Sequence, residues 1–305
     1  MKKQPQRIRT ITEFHEFRKL PRPEHPLISV VDYSAISHSP GNNTLNWVMD
    51  FYSISVKRTT NAKIRYGQQA YDFDEGVMFF MAPGQVFSVT IDATTTPQHS
   101  GWMLLIHPDF FWNTSLAKNI RRYQYFDYSV NEALFLSEKE ETVLNNIIEN
   151  IRQEYHSTID AFSQNIIIAQ IETLLSYAER FYQRQFITRK ITNHQVLDQL
   201  ETFMAAYFSN EELMAKGLPS VQQVAAALNT SPGYLSGLLK VLTGQSTQQY
   251  IHEKLIGKAK EKLSTTSLSV SEIAYELGFE HPQSFSKLFK AKTRLSPLEF
   301  RRAFN

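Results

Sequence analysis

Residues 269–302 read SVSEIAYELGFEHPQSFSKLFKAKTRLSPLEFRR. Val270, Ile273, Ala274 and Leu277 recur at i, i+3, i+4 and i+7, an apolar stripe on a short α-helix. Gly278 ends that helix, because glycine tolerates left-handed backbone, and Pro282 suits the first position of a second, where its missing N–H costs nothing. In the second helix Phe285, Leu288 and Phe289 face inward, while Gln283, Lys287 and Lys290 share the opposite face. Two short helices at a tight turn, with an amide and two cations on the outer face of the second, suit a helix-turn-helix. Such a motif lays its second helix in the major groove of DNA, where an amide pairs with adenine and a cation with guanine or phosphate. A plain solvated face would have the same composition, so the decision falls to the rest of the chain.

The pattern occurs twice. Val221, Val224, Ala225 and Leu228 match Val270, Ile273, Ala274 and Leu277 at an offset of 49. Beyond the turn the offset is 50: Leu235, Leu238, Leu239 and Lys240 map onto Phe285, Leu288, Phe289 and Lys290, and Tyr250 onto Phe300. Coincidence does not align two apolar stripes, a break and a trailing aromatic. Between the units Ile251, Leu255, Ala259 and Leu263 recur at i+4, predicting a connecting helix over 247–263 that spans about 25 Å. Rigidly joined, the two second helices would lie about one DNA turn, roughly 34 Å, apart, so that one chain could read two successive major grooves.

Charge points the same way. Residues 213–305 hold 12 Lys+Arg against 6 Asp+Glu, a balance of +6, which leaves −4 for the 212 residues before them. A basic end on an acidic body suits a polyanion bound through one domain. The 305 residues have room for two domains, and 42% hydrophobic with 20% charged is an ordinary globular composition. With no cysteine, disulfides, thiolate zinc sites and cysteine nucleophiles are excluded. No apolar run reaches the length of a membrane span, and the N-terminus has no signal-peptide pattern, so a cytoplasmic protein without membrane contact is expected.

Residues 1–27 are polar, with Pro5, Pro21, Pro23 and Pro26, and read as an arm. From Leu27 to about Tyr128, short alternating runs punctuated by Gly67, Asp74-Glu75-Gly76 and Pro83-Gly84 predict a small barrel or sandwich. Trp102 to Ile106 reads as a buried strand, and a short helix is expected within 109–120. Ser137 and Glu140 form a capping box that opens a helix. A second helix over 160–184 carries IIIAQIETLL, apolar on more than one face, and the 137–184 pair is therefore expected to hold a homodimer interface as well as pack on the barrel. Gln185 to Ile191 reads as the linker.

The residues IAYELGF (273–279), SFSKLFK (284–290) and LSPLEFRR (295–302), with weaker echoes in SPGYLSGLLK (231–240), Gly244 and Tyr250, resemble the double helix-turn-helix domain of the AraC/XylS family of bacterial transcription regulators. The resemblance covers 192–305. It implies seven helices, binding to promoter or operator DNA, and activation through contact with RNA polymerase. YDFDEG, FFMAPGQ and the passage from Ile106 to Phe111 more loosely resemble the cupin-like sensor domain that precedes such domains. That implies an α+β chain of two domains: a cupin-like β-barrel followed by helices (1–184) that binds a small effector and dimerises, a linker (185–191), and an all-α double helix-turn-helix (192–305).

Two departures from the family pattern bear on the site. Arg294 stands where glycine usually precedes the Ser-Pro, adding a cation that could meet phosphate. In the first motif Gly233 and Gly237 occupy the positions of Gln283 and Lys287 and offer bases no side chain. The second motif, with Gln283, Ser286, Lys287, Lys290 and Arg294, is therefore expected to read bases, while Ser231, Tyr234, Ser236 and Lys240 make backbone and groove contacts. Tyr52, Arg58, Tyr71, His99 and Trp102, polar aromatics and a cation on barrel strands, are candidates for an effector pocket. Only His99 and His107 lie in the late strands, without a closely spaced pair, so no metal, no cofactor and no enzymatic activity are expected. The rival readings are an architectural DNA-binding protein without an effector and, more remotely, a cupin enzyme fused to a DNA-binding domain.

Overall fold

A computed structural model describes residues 5–36, 44–60, 64–66, 69–71, 76–90, 98–128, 132–156, 160, 162–188, 190–209 and 217–304. The chain divides into two compact units, Met1–Gln185 and Phe186–Asn305.

The first unit is built on two five-stranded sheets. In chain order its elements are β1 (Gln6–Ile8), α1 (Ile11–Phe17), β2 (Ile28–Asp32), β3 (Thr44–Met49), β4 (Tyr52–Thr60), β5 (Ile64–Tyr66), β6 (Gln69–Tyr71), β7 (Gly76–Met81), β8 (Val86–Thr90), β9 (Gln98–Ile106), α2 (Ser115–Asn119), β10 (Leu134–Leu136), α3 (Glu138–His156) and α4 (Ser163–Thr188). The strands order as β1-β3-β8-β5-β6 and β10-β7-β4-β9-β2. Trp47 and Met49 of the first sheet share one buried cluster with Val31 and Leu105 of the second, so the two sheets face each other across it. The residues expected to form an arm belong to this core: β1 pairs with β3, and Ile8, Ile11 and Phe14 lie in the same cluster. Thr10 caps α1 by accepting from the Glu13 N–H at 3.1 Å, which turns a polar, proline-bearing segment into a helix with one apolar face.

The outer face of the second sheet is sealed by helices. Ile54 and Val56 of β4, Met78 of β7 and Leu104 of β9 are fully buried. The expected capping box opens α3, with the Ser137 N–H donating to Glu140 at 2.9 Å and the Glu140 N–H to Ser137 Oγ at 3.4 Å. On α4 the residues Ile167, Ile168, Ile171, Leu174 and Leu175 are all buried within the protomer. The barrel and its neighbours thus cover most of the apolar surface that suggested a second partner, leaving Phe162 and Ile166 exposed at 69% and 44%.

Helices enter the expected linker from both sides. Helix α4 runs to Thr188 and α5 (Lys190–Ser209) follows at once, residue 189 lying outside the described residues. QFITRKI contains neither glycine nor proline to break a helix. The second unit continues with α6 (Val221–Ala227), α7 (Pro232–Thr243), α8 (Thr247–Thr265), α9 (Val270–Glu276), α10 (Pro282–Thr293) and α11 (Pro297–Phe304). Its core is two clusters sharing one spine. Helix α8 gives Tyr250 and Ile251 to a cluster with Val224, Ala225, Leu235 and Leu239, and gives Leu255, Ile256, Ala259 and Leu263 to one with Ile273, Ala274, Phe285 and Phe289.

Candidate nucleic-acid interface

The two turns are built bond for bond alike. In the second motif the Gly278 N–H donates to Tyr275 O at 2.9 Å and the Phe279 N–H to Ala274 O at 3.0 Å. In the first, at the offset of 49, the Asn229 N–H donates to Ala226 O at 3.2 Å and the Thr230 N–H to Ala225 O at 3.0 Å. Gly278 and Asn229 both take the left-handed backbone, with φ of 77° and 57°, and asparagine is among the few other residues that adopt it readily. Capping boxes start α6 and α9 from Ser220 and Ser269. Proline then opens α7 and α10.

Helix α10 buries Phe285 and Phe289. Gln283, Lys287 and Lys290 are exposed together, and among the described residues none of their side chains has a hydrogen bond or ion pair. Ser286 is half-buried beside them. Arg294 is exposed at the C-cap with φ 65°, the conformation Gly244 adopts in the first motif at φ 76°. The turn geometry therefore survives the loss of glycine, at the expense of holding a side chain in the left-handed region.

Helix α7 presents less. Gly233 and Gly237 leave its reading face without side chains, and Lys240 is exposed. Two residues expected at the groove are turned inward. Ser231 is buried as the N-cap, its Oγ accepting from the Tyr234 N–H at 3.2 Å, and Tyr234 is only 8% exposed with its ring edge-on to Phe186 at 5.1 Å. The N-cap serine and the first inward aromatic sit where hydroxyl chemistry alone suggests a phosphate contact. Ser236 is half-buried, and its Oγ accepts from the Thr247 N–H at 3.5 Å.

Of the five expected effector residues, three have described side chains. Tyr52, Arg58 and Trp102 point from β4 and β9 toward the helices. Tyr52 packs on Phe111 and Phe126 at ring distances of 5.5 and 5.2 Å, Arg58 pairs with Glu141 at 2.7 Å, and the Trp102 indole N–H donates to Asn145 at 2.8 Å. Burial, opposed by the charge of Arg121, raises the Tyr52 phenol above its ordinary pKa. The Tyr71 and His99 side chains lie outside the described residues, with their backbones in β6 and β9. No group of three or more metal-ligating residues occurs among the described residues, and no described helix is long and apolar enough to cross a membrane. What sequence reasoning missed is on the other face of β4, where Lys57 is buried; its signal was a cation on a central strand.

A family model described as a helix-turn-helix domain matches residues 224–303. Among curated relatives, the chain is 32% identical over 139 residues to the uncharacterized HTH-type transcriptional regulator YfiF of Bacillus subtilis, covering 46% of this chain and 41% of that one. It is 33% identical over 109 residues to the HTH-type transcriptional activator RhaS of an Enterobacter species, covering 36% and 37%. The matched segment thus spans less than half of either relative. Among solved structures, ToxT of Vibrio cholerae is 13% identical and superposes with a TM-score of 0.30 over 91% of this chain and 97% of that one. With the paired turns and the capping boxes, the matched segment shows a helix-turn-helix domain at 224–303, similar in sequence to those of these transcription regulators.

Proposed function

We propose that this chain is a sequence-specific DNA-binding transcription regulator, an activator that responds to a small molecule bound by its N-terminal unit. The observation that carries the reading is the exposed line of Gln283, Lys287 and Lys290 on a helix whose other face is fully packed. Such a helix keeps its amide and cations free for base edges while the fold holds it rigid. Arg294 and Lys240 add phosphate contacts, and α8, about 28 Å long, spaces the two motifs along one side of the duplex. The chain acts as a homodimer through the 137–184 helices, contacts RNA polymerase at the promoter, and works in the cytoplasm without catalysing a reaction.

Retention on DNA tests this directly. At physiological salt the protein should hold its own promoter fragments far better than random DNA of equal length, a difference of about 4 kcal/mol or more. Equal retention would make it an architectural DNA-binding protein instead. Gln283→Ala and Lys287→Ala should each cost about 1–3 kcal/mol on the promoter and relax its sequence preference, whereas Lys240→Ala should weaken all sequences alike. Unchanged preference in both of the first pair would remove α10 from the role of reader.

A further inference from the structure

Strand β4 lies at the centre of the second sheet, between β7 and β9, and its alternate residues look in opposite directions. Tyr52, Ile54, Val56 and Arg58 meet the helices. Ser53, Ser55 and Lys57 therefore face the opposite sheet. Lys57 is only 6% exposed, and its Nζ sits 5.3 Å from the centre of the Tyr33 ring. No carboxylate among the described residues pairs with it. A second cation stands close by: the Arg18 guanidinium, at the C-terminal end of α1, lies over the rings of Trp47 at 4.6 Å and Phe17 at 5.2 Å. Burial first, and Arg18 second, pull Lys57 down to about 7. A buried ammonium beside a like charge is costly unless an anion compensates it.

The surroundings are largely apolar. Phe79 and Met103 are the cross-strand partners of Ser55, and Met81 is a partner of Ser53, so all three share the face that bears Lys57. They are only partly buried, while Met78 and Leu104, their neighbours on the helix-covered face, are sealed. Ser55 and its neighbour Tyr33 add hydroxyls: the Ser55 side chain hydrogen-bonds the Tyr33 phenol. One face of one sheet thus combines a buried ammonium, a guanidinium of the same sign beside it, and greasy side chains that are only partly buried.

We infer that the space between the two sheets binds a small organic carboxylate, its oxygens held by Lys57 and Arg18 and its apolar body against Phe79, Met81 and Met103. A carboxylate would accept from the ammonium and the guanidinium at once, bonds stronger than neutral ones in a poorly solvated site. The effect of such binding on DNA rests on the reading of the N-terminal unit as a sensor; the binding itself does not.

The full chain would be titrated calorimetrically and melted with sodium hexanoate as probe, beside hexanamide, its uncharged counterpart, and sodium phosphate. Hexanoate should bind saturably and raise the Tm, hexanamide and phosphate far less. Lys57→Met should weaken hexanoate about tenfold or more, and Arg18→Gln about tenfold. Lys57→Gln serves as a second variant, and the melting of each variant without probe reports that it is folded. Absence of hexanoate binding, equal binding of hexanamide, binding of phosphate alone, or undiminished hexanoate binding in folded Lys57→Met would each overturn the assignment. Retention of promoter DNA with and without hexanoate is measured in parallel. Binding without any change in retention upholds the site and removes the sensor reading.

Discussion

Burial and the neighbouring Arg18 take the Lys57 ammonium from its ordinary 10.5 to about 7, and a group so displaced has a measurable signature in stability. Between these two values the unfolded chain binds a proton that the folded chain does not, so stability rises with pH across that window and the full penalty applies below pH 7. The shift corresponds to roughly 5 kcal/mol. Lys57→Met should therefore raise the Tm at pH 7, by on the order of 10 °C for a unit of this size, and should flatten the pH dependence between 7 and 10. A Tm that falls, or an unchanged pH profile, would mean the ammonium is solvated. The sequence concealed this residue for a physical reason. Ser53, Ser55 and Lys57 alternate with Ile54 and Val56, which reads as a solvent face against a core face, and alternation cannot say that a second sheet covers the polar side. The same ambiguity left open which way the pocket candidates Tyr52, Arg58 and Trp102 point, and they contact the helices. Arg294 is the opposite case: its departure from glycine was visible, and the left-handed φ of 65° now gives it a cost. Arg294→Gly should stabilise the second unit by about 1 kcal/mol while weakening all DNA alike and lowering the salt slope by about 1, as read by thermal melting and by retention at several salt concentrations.

Helix α7 departs from its twin in what it presents rather than in how it is held. Its turn, its opening proline and its apolar stripe repeat those of α10, and each was legible because an internal repeat compares the chain with itself. Asn229, the counterpart of Gly278, was not legible, since only the backbone reveals that it adopts the left-handed conformation. Nor were the helices that flank residue 189, α4 to Thr188 and α5 from Lys190, since the linker reading of 185–191 rested on composition. Gly233 and Gly237 are where sequence and structure together make a test. Each lowers helix stability by about 1 kcal/mol relative to alanine, and neither offers a side chain to a base. Gly237→Ala should raise the stability of the second unit by about that amount and leave promoter retention within about twofold. If retention collapses while the fold is firmer, the glycine permits the α7 backbone to approach the DNA closely, and the first motif is a docking surface in its own right.

On the proposed reading, one chain carries one well-furnished recognition helix and one bare one, and a single α10 would reach only a few base pairs. Distinguishing one promoter among many competing sites requires more contacts than that, and the proposed dimer would supply them by doubling both the readers and the basic ends, each with a balance of +6 over residues 213–305. The surface available for pairing on α4 is narrow. Phe162 and Ile166 are exposed one turn apart, with Ala169 and Thr173 continuing the same stripe, whereas most of the larger apolar residues of the helix, Ile187 at its far end excepted, are spent on the chain's own core. An interface centred on two such side chains is modest in area, and its hold on the partner should depend heavily on them. Sedimentation of the full chain should therefore show a concentration-dependent dimer, and the double variant Phe162→Ser, Ile166→Ser should sediment as a monomer. Because both positions are exposed, its stability should change by no more than about 0.5 kcal/mol per site. Its promoter retention should fall steeply and its retention on random DNA only slightly, since each chain keeps its cations and loses only the second reader. A double variant that remains dimeric would move the interface off this stripe, and one that is monomeric yet fully specific would make a single pair of motifs sufficient.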